Sequence, residues 1–186
     1  MRTNYDIAAL LDRRAARDEH FRTHFTSPIP EEHLERFEGL EYFDPDPDLV
    51  RTGTFAAAEG KLDITSSTGN TTSYRLAGHV DLAINENTHR LIVLHGEDGE
   101  MFIPFRDITC GTGSYGGGRY VPAVPKAPNE MIIDFNLALN PWCAYDEEFS
   151  CPLPPVDNWL RVPIRAGEKD YRPTKTQGSH LVGGSE

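Results

Sequence analysis

Tyr74-Arg75-Leu76-Ala77-Gly78-His79-Val80-Asp81-Leu82-Ala83-Ile84, followed by Asn85-Glu86-Asn87 and then Leu91-Ile92-Val93-Leu94, decides the fold class. Val80, Leu82 and Ile84 recur with a period of two, the pattern of a strand with one buried face. Asn85-Glu86-Asn87 reads as a turn, and the unbroken apolar run Leu91–Leu94 reads as a strand buried on both faces. Upstream, Leu62 and Ile64 alternate with polar residues before a turn at Gly69-Asn70, and Tyr74 and Leu76 alternate beyond it. Downstream, Gly96-Glu97-Asp98-Gly99 turns into Met101–Phe105, and Tyr120-Val121 and Met131–Phe135 supply further strands. Short strands joined by short turns, without helices between them, predict a mainly β (α+β) protein: an antiparallel β-barrel or roll of about seven strands.

Before residue 51 the period is helical. Residues 4–24 read as a helix that Thr3 or Asn4 can cap, with Asp6 available to the first-turn amides. Ile7, Leu10, Leu11, Phe21 and Phe25 recur at helical spacing, and Ile7, Leu10, Leu11 and Phe21 are expected to pack the helix on the barrel. The charge-dense span Asp12–Arg22 reads as the solvated face. Thr26-Ser27-Pro28 ends the helix, and a short second one runs from Pro30 to a stop at Gly39. Asp44-Pro45-Asp46-Pro47-Asp48 reads as a linker. The expected organisation is an N-terminal helical arm and linker at 1–48, a barrel or roll with motif-rich loops at 49–172, and a disordered tail at 173–186.

The chain of 186 residues carries a formal net charge of −11, which argues against nucleic acid and anionic membrane as partners. Lys61, Lys126, Lys169 and Lys175 are its only lysines. An acidic, lysine-poor surface suits a cytosol of high ionic strength and reads as a halophilic, archaeal signature. No run approaches the ~18 consecutive apolar residues of a membrane span, and the start lacks a signal-peptide core. Three cysteines do not make a fully paired secreted framework. The expected compartment is cytoplasmic; oligomeric state is not legible.

Phe102–Glu168 concentrates glycine, proline, aromatics, amides and all three cysteines, as a shaped, irregular surface requires. Gly111, Gly113, Gly116, Gly117 and Gly118 form no GxxxxGK[ST] or GxGxxG fingerprint, so no cofactor is named. They could present amides to an anion beside Arg106 and Arg119, or simply shape a kinked strand. Asp107, Asp134 and Glu168 could act as acids or bases, or serve as halves of buried ion pairs with Arg119, Asp134 and Glu168 being the expected partners of that arginine. Asn136, Asn140 and Asn158 suit loops where amides satisfy main-chain groups. Cys143 and Cys151 stand eight apart. A reducing compartment argues against an obligatory bond between them, and too few further ligands accompany them for zinc, so no metal is expected. His79, His89 and His95 lack metal-ligand spacing.

These pieces resemble a known family, the bacterial and archaeal domain of unknown function numbered 1684. The matching residues are Pro104–Thr109, Ser114–Tyr120 including Tyr115, Asp134-Phe135-Asn136, Asn140-Pro141, Cys143-Ala144-Tyr145, Cys151–Pro155, Asn158 and Ala166-Gly167-Glu168, with Ser27-Pro28 and Phe37–Phe43 upstream. The resemblance spans about residues 13–170 and implies a shared fold without an established activity. Cys110 stands where the family is expected to have serine, and Leu139 where it is expected to have an aromatic. Two functions stay open. One is a small-molecule site, anionic ligands and catalysis included, built by the loop 110–120 and segment 134–151 from Arg106, Asp107, Tyr115, Arg119, Asp134, Asn136, Asn140, Cys143, Asn158 and Glu168. The other is a non-catalytic structural or interaction protein whose motifs brace the barrel. A flavin-binding split barrel is an analogy of fold alone.

Overall fold

Seven antiparallel strands carry the architecture, in a computed structural model that describes residues 5–171. They are β1 (Val50–Ala57), β2 (Lys61–Thr65), β3 (Thr71–Ile84), β4 (Asn87–His95), β5 (Met101–Phe105), β6 (Arg119–Ala127) and β7 (Glu130–Asp134). β1 pairs with β7 on one side and with the second half of β3 on the other, Thr54 facing Asp81 and Ala57 facing Gly78. The ring β1-β7-β6-β5-β4-β3 therefore closes into a six-stranded barrel, and β2 pairs only with the first half of β3. Closure removes the sheet edges that an open meander would expose.

β3 can serve two neighbours because it bends. Its register against β4 shifts between Leu76 and Gly78, and Gly78 has φ +153°. A Cβ there would stand 2.3 Å from the carbonyl oxygen of Ala56, so only glycine lets β1 come this close. Beyond the bend, the β2–β3 hairpin folds over the outside of the barrel.

That fold-over explains the unbroken run in β4. Leu91 and Val93 point into the barrel with Val80, Leu82, Ile84, Ile103, Phe105, Val121, Ile133 and Phe135. Ile92 and Leu94 lie on the opposite face, under Ile64 with Leu62, Tyr74, Leu76 and Phe102. Each such fully buried side chain contributes about 1.5–3 kcal/mol of transfer free energy.

The N-terminal helix α1 (Ile7–Thr23) is capped by Asp6, whose Oδ1 accepts from the Ala9 amide at 2.9 Å. The expected caps Thr3 and Asn4, like the expected tail 173–186, lie outside the described residues. The expected packing stripe is corrected: Leu10 and Phe21 are buried, but Ile7 and Leu11 are 43% and 51% exposed and Phe25 is 92% exposed. The docked stripe is Leu10, Arg14, Arg17, Asp18 and Phe21. Arg14 donates to the Phe43 carbonyl (3.0 Å) and lies over the Tyr42 ring, and Asp18 accepts from the Leu40 amide (3.0 Å). Charges read as a solvated face thus supply three of the five docked residues. Arginine can do this because its long apolar stem packs while its planar head finds partners. The second helix, α2, is one turn, Glu31–Leu34. No helix among the described residues is long and apolar enough to cross a membrane.

Candidate functional site

Two structures arise side by side from the motif-rich third of the chain: a sealed polar knot and an open aromatic groove. The knot begins at Gly118, whose φ of +98° and closeness to Phe105 O, 2.7 Å from where a Cβ would stand, drive the chain into β6 with the Arg119 side chain turned inward. Arg119 is fully buried. Its Nη2 donates to Asp107 Oδ1 (3.2 Å) and the Ile164 carbonyl (2.8 Å), and its Nη1 to the carbonyls of Ala166 and Glu168 (2.5 and 3.1 Å). The rings of Phe43 and Phe105 flank it. Burial lowers the pKa of this guanidinium, and the Asp107 charge opposes that. Asp107 Oδ2 accepts from the Thr109 amide and hydroxyl and from the Ile164 amide (3.1, 2.8 and 2.7 Å). The carboxylate that pairs with Arg119 is thus Asp107 rather than Asp134 or the side chain of Glu168, because the Asp107–Ile108–Thr109 turn presents it directly below Phe105.

Glu168 is the second node. Oε1 accepts from Arg17 Nε (2.6 Å), and Oε2 accepts from the Asn140 amide (2.7 Å) and the Tyr145 hydroxyl (2.5 Å). Burial, with the Glu168 charge beside it, pushes the Tyr145 phenol well above its ordinary pKa, so it remains a donor. Burial opposes the charge of Arg17, yet Glu168 and Tyr145 together hold its pKa above the usual value.

The other sequence-selected residues fall elsewhere. Asp134 Oδ1 accepts from the backbone and side-chain amides of Asn136, its Oδ2 accepts from the Tyr5 hydroxyl, and Asn136 pairs both ways with the backbone of Asp46. Asn158 is buried under β4 and β5: Oδ1 accepts from the Ile92 amide (2.7 Å), and Nδ2 donates to the Ile92 and Pro104 carbonyls (3.0 and 2.8 Å). Arg106 lies apart, half-buried over the Trp159 ring. Asp107, Arg119, Glu168 and Asn140 therefore form one connected chain of contacts; Asp134 with Asn136, Asn158, and Arg106 do not join it.

Tyr115 and Cys143 meet at the groove side, where the Tyr115 hydroxyl donates to the Cys143 carbonyl (3.4 Å) and reaches its sulfur (3.7 Å). The Cys143 amide donates to Cys151 Sγ (3.3 Å). Hydrogen bonds from the Cys151 thiol, then from Ser67 and Tyr115, bring the Cys143 thiol down to about 6 against the opposing effect of burial. Cys151, sharing the proton, is pushed up.

Cys151 also lines the groove, a cavity of about 520 Å³ walled by Tyr74, Phe102, Tyr120, Trp142 and Phe149. Tyr74, Phe102 and Tyr120 occupy outward positions of β3, β5 and β6, next to the inward Ile103 and Val121. Trp142 and Phe149, edge to face at 5.1 Å, come from the loop that holds the two cysteines. Arg17, Glu97 and Asn140 are polar residues on the wall. Asn140 is only 4% exposed; its Nδ2 donates to the Lys169 carbonyl, but its Oδ1 has no partner. Sequence reasoning missed Arg17 and the aromatic wall. The signal available was the outward aromatic at one position on each of three strands. Among the described residues, no group of three or more His, Cys, Asp or Glu side chains could hold a metal ion.

The profile of the family described as "Protein of unknown function (DUF1684)" matches residues 35–169. The solution NMR structure of an uncharacterised protein from Haloarcula marismortui is similar, with a TM-score of 0.69 and 37% identity over 88% of this chain and 93% of that one. No curated protein matches the chain.

Proposed function

We propose, for a chain that belongs to the DUF1684 family of proteins of unknown function, that the aromatic groove binds a planar, largely apolar small molecule carrying one hydrogen-bond donor. The single observation behind this is Asn140, a residue lining an aromatic cavity, whose buried Oδ1 has no partner. A buried acceptor left unpaired costs about 1–3 kcal/mol, and a ligand hydroxyl or N–H placed there removes that cost. The volume falls within the range of small-molecule pockets, and aromatic faces favour a flat partner. Charge argues for a neutral ligand. Arg17 is already engaged by Glu168, and Glu97 on the rim repels anions.

Three naphthalenes test this, by ligand-observed NMR at neutral pH. 2-Naphthol should bind more tightly than 2-methoxynaphthalene, which lacks the donor, and 2-naphthoate should bind least. Trp142→Ala should weaken all three. No binding by any of them defeats the reading, and preference for naphthoate replaces it with an anion site. The knot supports the alternative role for its own residues: with Asp107, Arg119 and Glu168 buried and paired among themselves, they brace the barrel and hold the groove's wall in place.

A further inference from the structure

We infer that Cys143 and Cys151 form a thiol–disulfide exchange site, reached through the groove, that takes low-molecular-weight disulfides. Three observations carry it. The two cysteines meet across a loop of seven intervening residues, where the Cys143 amide donates to Cys151 Sγ (3.3 Å). One of them, Cys151, is among the residues lining the groove and is 9% exposed, while Cys143 is not among them and is 5% exposed. One hydroxyl reaches a sulfur of the pair: the Tyr115 hydroxyl lies 3.7 Å from Cys143 Sγ, while Ser67 Oγ accepts from the Cys151 amide. A buried thiol with an ordinary structural role needs no such donor, because the neutral S–H packs as a small hydrophobe. Donors aimed at sulfur stabilise a thiolate, the reactive form.

The arrangement assigns an order. The step starts from the pair with one proton lost, Cys143 as thiolate and Cys151 as thiol. Cys151, the cysteine that lines the groove, attacks a sulfur of the incoming disulfide RSSR as its proton passes to Cys143. An S–S bond forms to Cys151, and RS⁻ leaves and takes the proton from Cys143 as RSH. The Cys143 thiolate then attacks Cys151 Sγ, closing the Cys143–Cys151 bond and expelling a second RS⁻. The protein dithiol has lost two electrons, and one RSSR has become two thiol equivalents. Ser67, Ser150 and Phe149 tie this loop to the β2–β3 turn, Ser67 Oγ donating to the Phe149 carbonyl and Ser150 bonding to Thr68, so the Cys151 end of the loop is anchored.

The site needs the groove only as an entrance, so failure of naphthol binding leaves its test readable. The probe is bis(2-hydroxyethyl) disulfide, neutral and small, added to full-length Cys110→Ser protein and followed by intact mass without reductant. The expected product is two hydrogens lighter and carries no adduct. In the further variant Cys143→Ser, one mercaptoethanol should remain attached at Cys151; in Cys151→Ser, reaction should slow by about tenfold or more. If the folded Cys110→Ser protein stays unmodified while its urea-unfolded form reacts, or accumulates two adducts, the inference is overturned. This requires no variant at the pair itself, so a variant that misfolds does not shelter it.

Discussion

The knot and the groove are built from the same stretch of chain, the same glycines and prolines and similar amides, yet they differ in one physical respect. In the knot, both carboxylate oxygens of Asp107 and of Glu168 and both terminal nitrogens of Arg119 have partners inside the protein, and Arg119 Nε is left without one. In the groove, an amide oxygen has none, two free cysteines meet, and a tryptophan is 46% exposed. Near-complete pairing is what stability asks of buried polar groups, and the knot comes closer to it than the groove does. The two regions touch at Asn140, whose backbone amide serves Glu168 and whose side chain lies at the groove. The knot thus fixes the backbone of the residue whose amide oxygen is left unpaired.

The sharpest way to break the comparison is Arg119→Met. Shape is roughly kept, but Asp107 is left as a buried, unpaired charge and three carbonyls lose a donor. Loss of about 3–5 kcal/mol of unfolding free energy is expected. Because the pair is sealed from solvent, the loss should persist in molar salt, where a surface pair would already be screened. Urea unfolding of both proteins at low and high salt measures it. An unchanged midpoint would mean that Arg119 is not a brace.

Asn158→Ala should have the next largest effect. Asn158 stands where the β4 and β5 strands separate and supplies three hydrogen bonds to their backbones. Removing it leaves the buried Ile92 amide unpaired, at a cost of about 1–3 kcal/mol. Hydrogen exchange should show the Ile92 amide losing protection out of proportion to the rest of β4. Uniform loss across the strand would instead mark a general packing defect.

How far the sequence reached follows from the same distinction. The alternation of Val80, Leu82 and Ile84, and the run Leu91–Leu94, speak directly to burial, because apolar periodicity and burial are one physical fact. The barrel was legible for that reason. Arg14, Arg17 and Asp18 were not, since a charged side chain on a helix usually faces water, and only the partners Phe43, Glu168 and Leu40, distant in sequence, turn these inward. The partner of Arg119 was equally hidden: Asp107, Asp134 and Glu168 offer the same carboxylate, and closure of the barrel chooses among them. Tyr74, Phe102 and Tyr120 read as ordinary strand aromatics. They become a wall only when the 142–151 loop folds back over β5 and β6.

The smallest expected effect is the most specific to the groove: a pH dependence belonging to the cysteine pair. With the Cys143 thiol brought down from 9.0 to about 6 and Cys151 pushed up, the folded pair holds one proton across the range where the unfolded chain passes from two to none. Between about pH 6 and 9 the unfolded chain binds more protons, so stability rises with pH; above 9 the folded pair binds more, and stability falls. Tyr115, Tyr74 and Tyr120 face the pair and are also held protonated by burial, which adds to the alkaline fall, and Glu97 and Asp170 are the nearby fixed charges. The contribution of the pair is isolated by subtracting the profile of Cys143→Ser, both in the Cys110→Ser background. Absorbance at 240 nm supplies the independent check, since thiolates absorb there and thiols do not: one thiolate should appear with a midpoint near pH 6, and the second should not appear before the protein unfolds. A trace with no step below pH 8 would make the two sulfurs ordinary buried thiols, and the groove would then be as closed in its chemistry as the knot beside it.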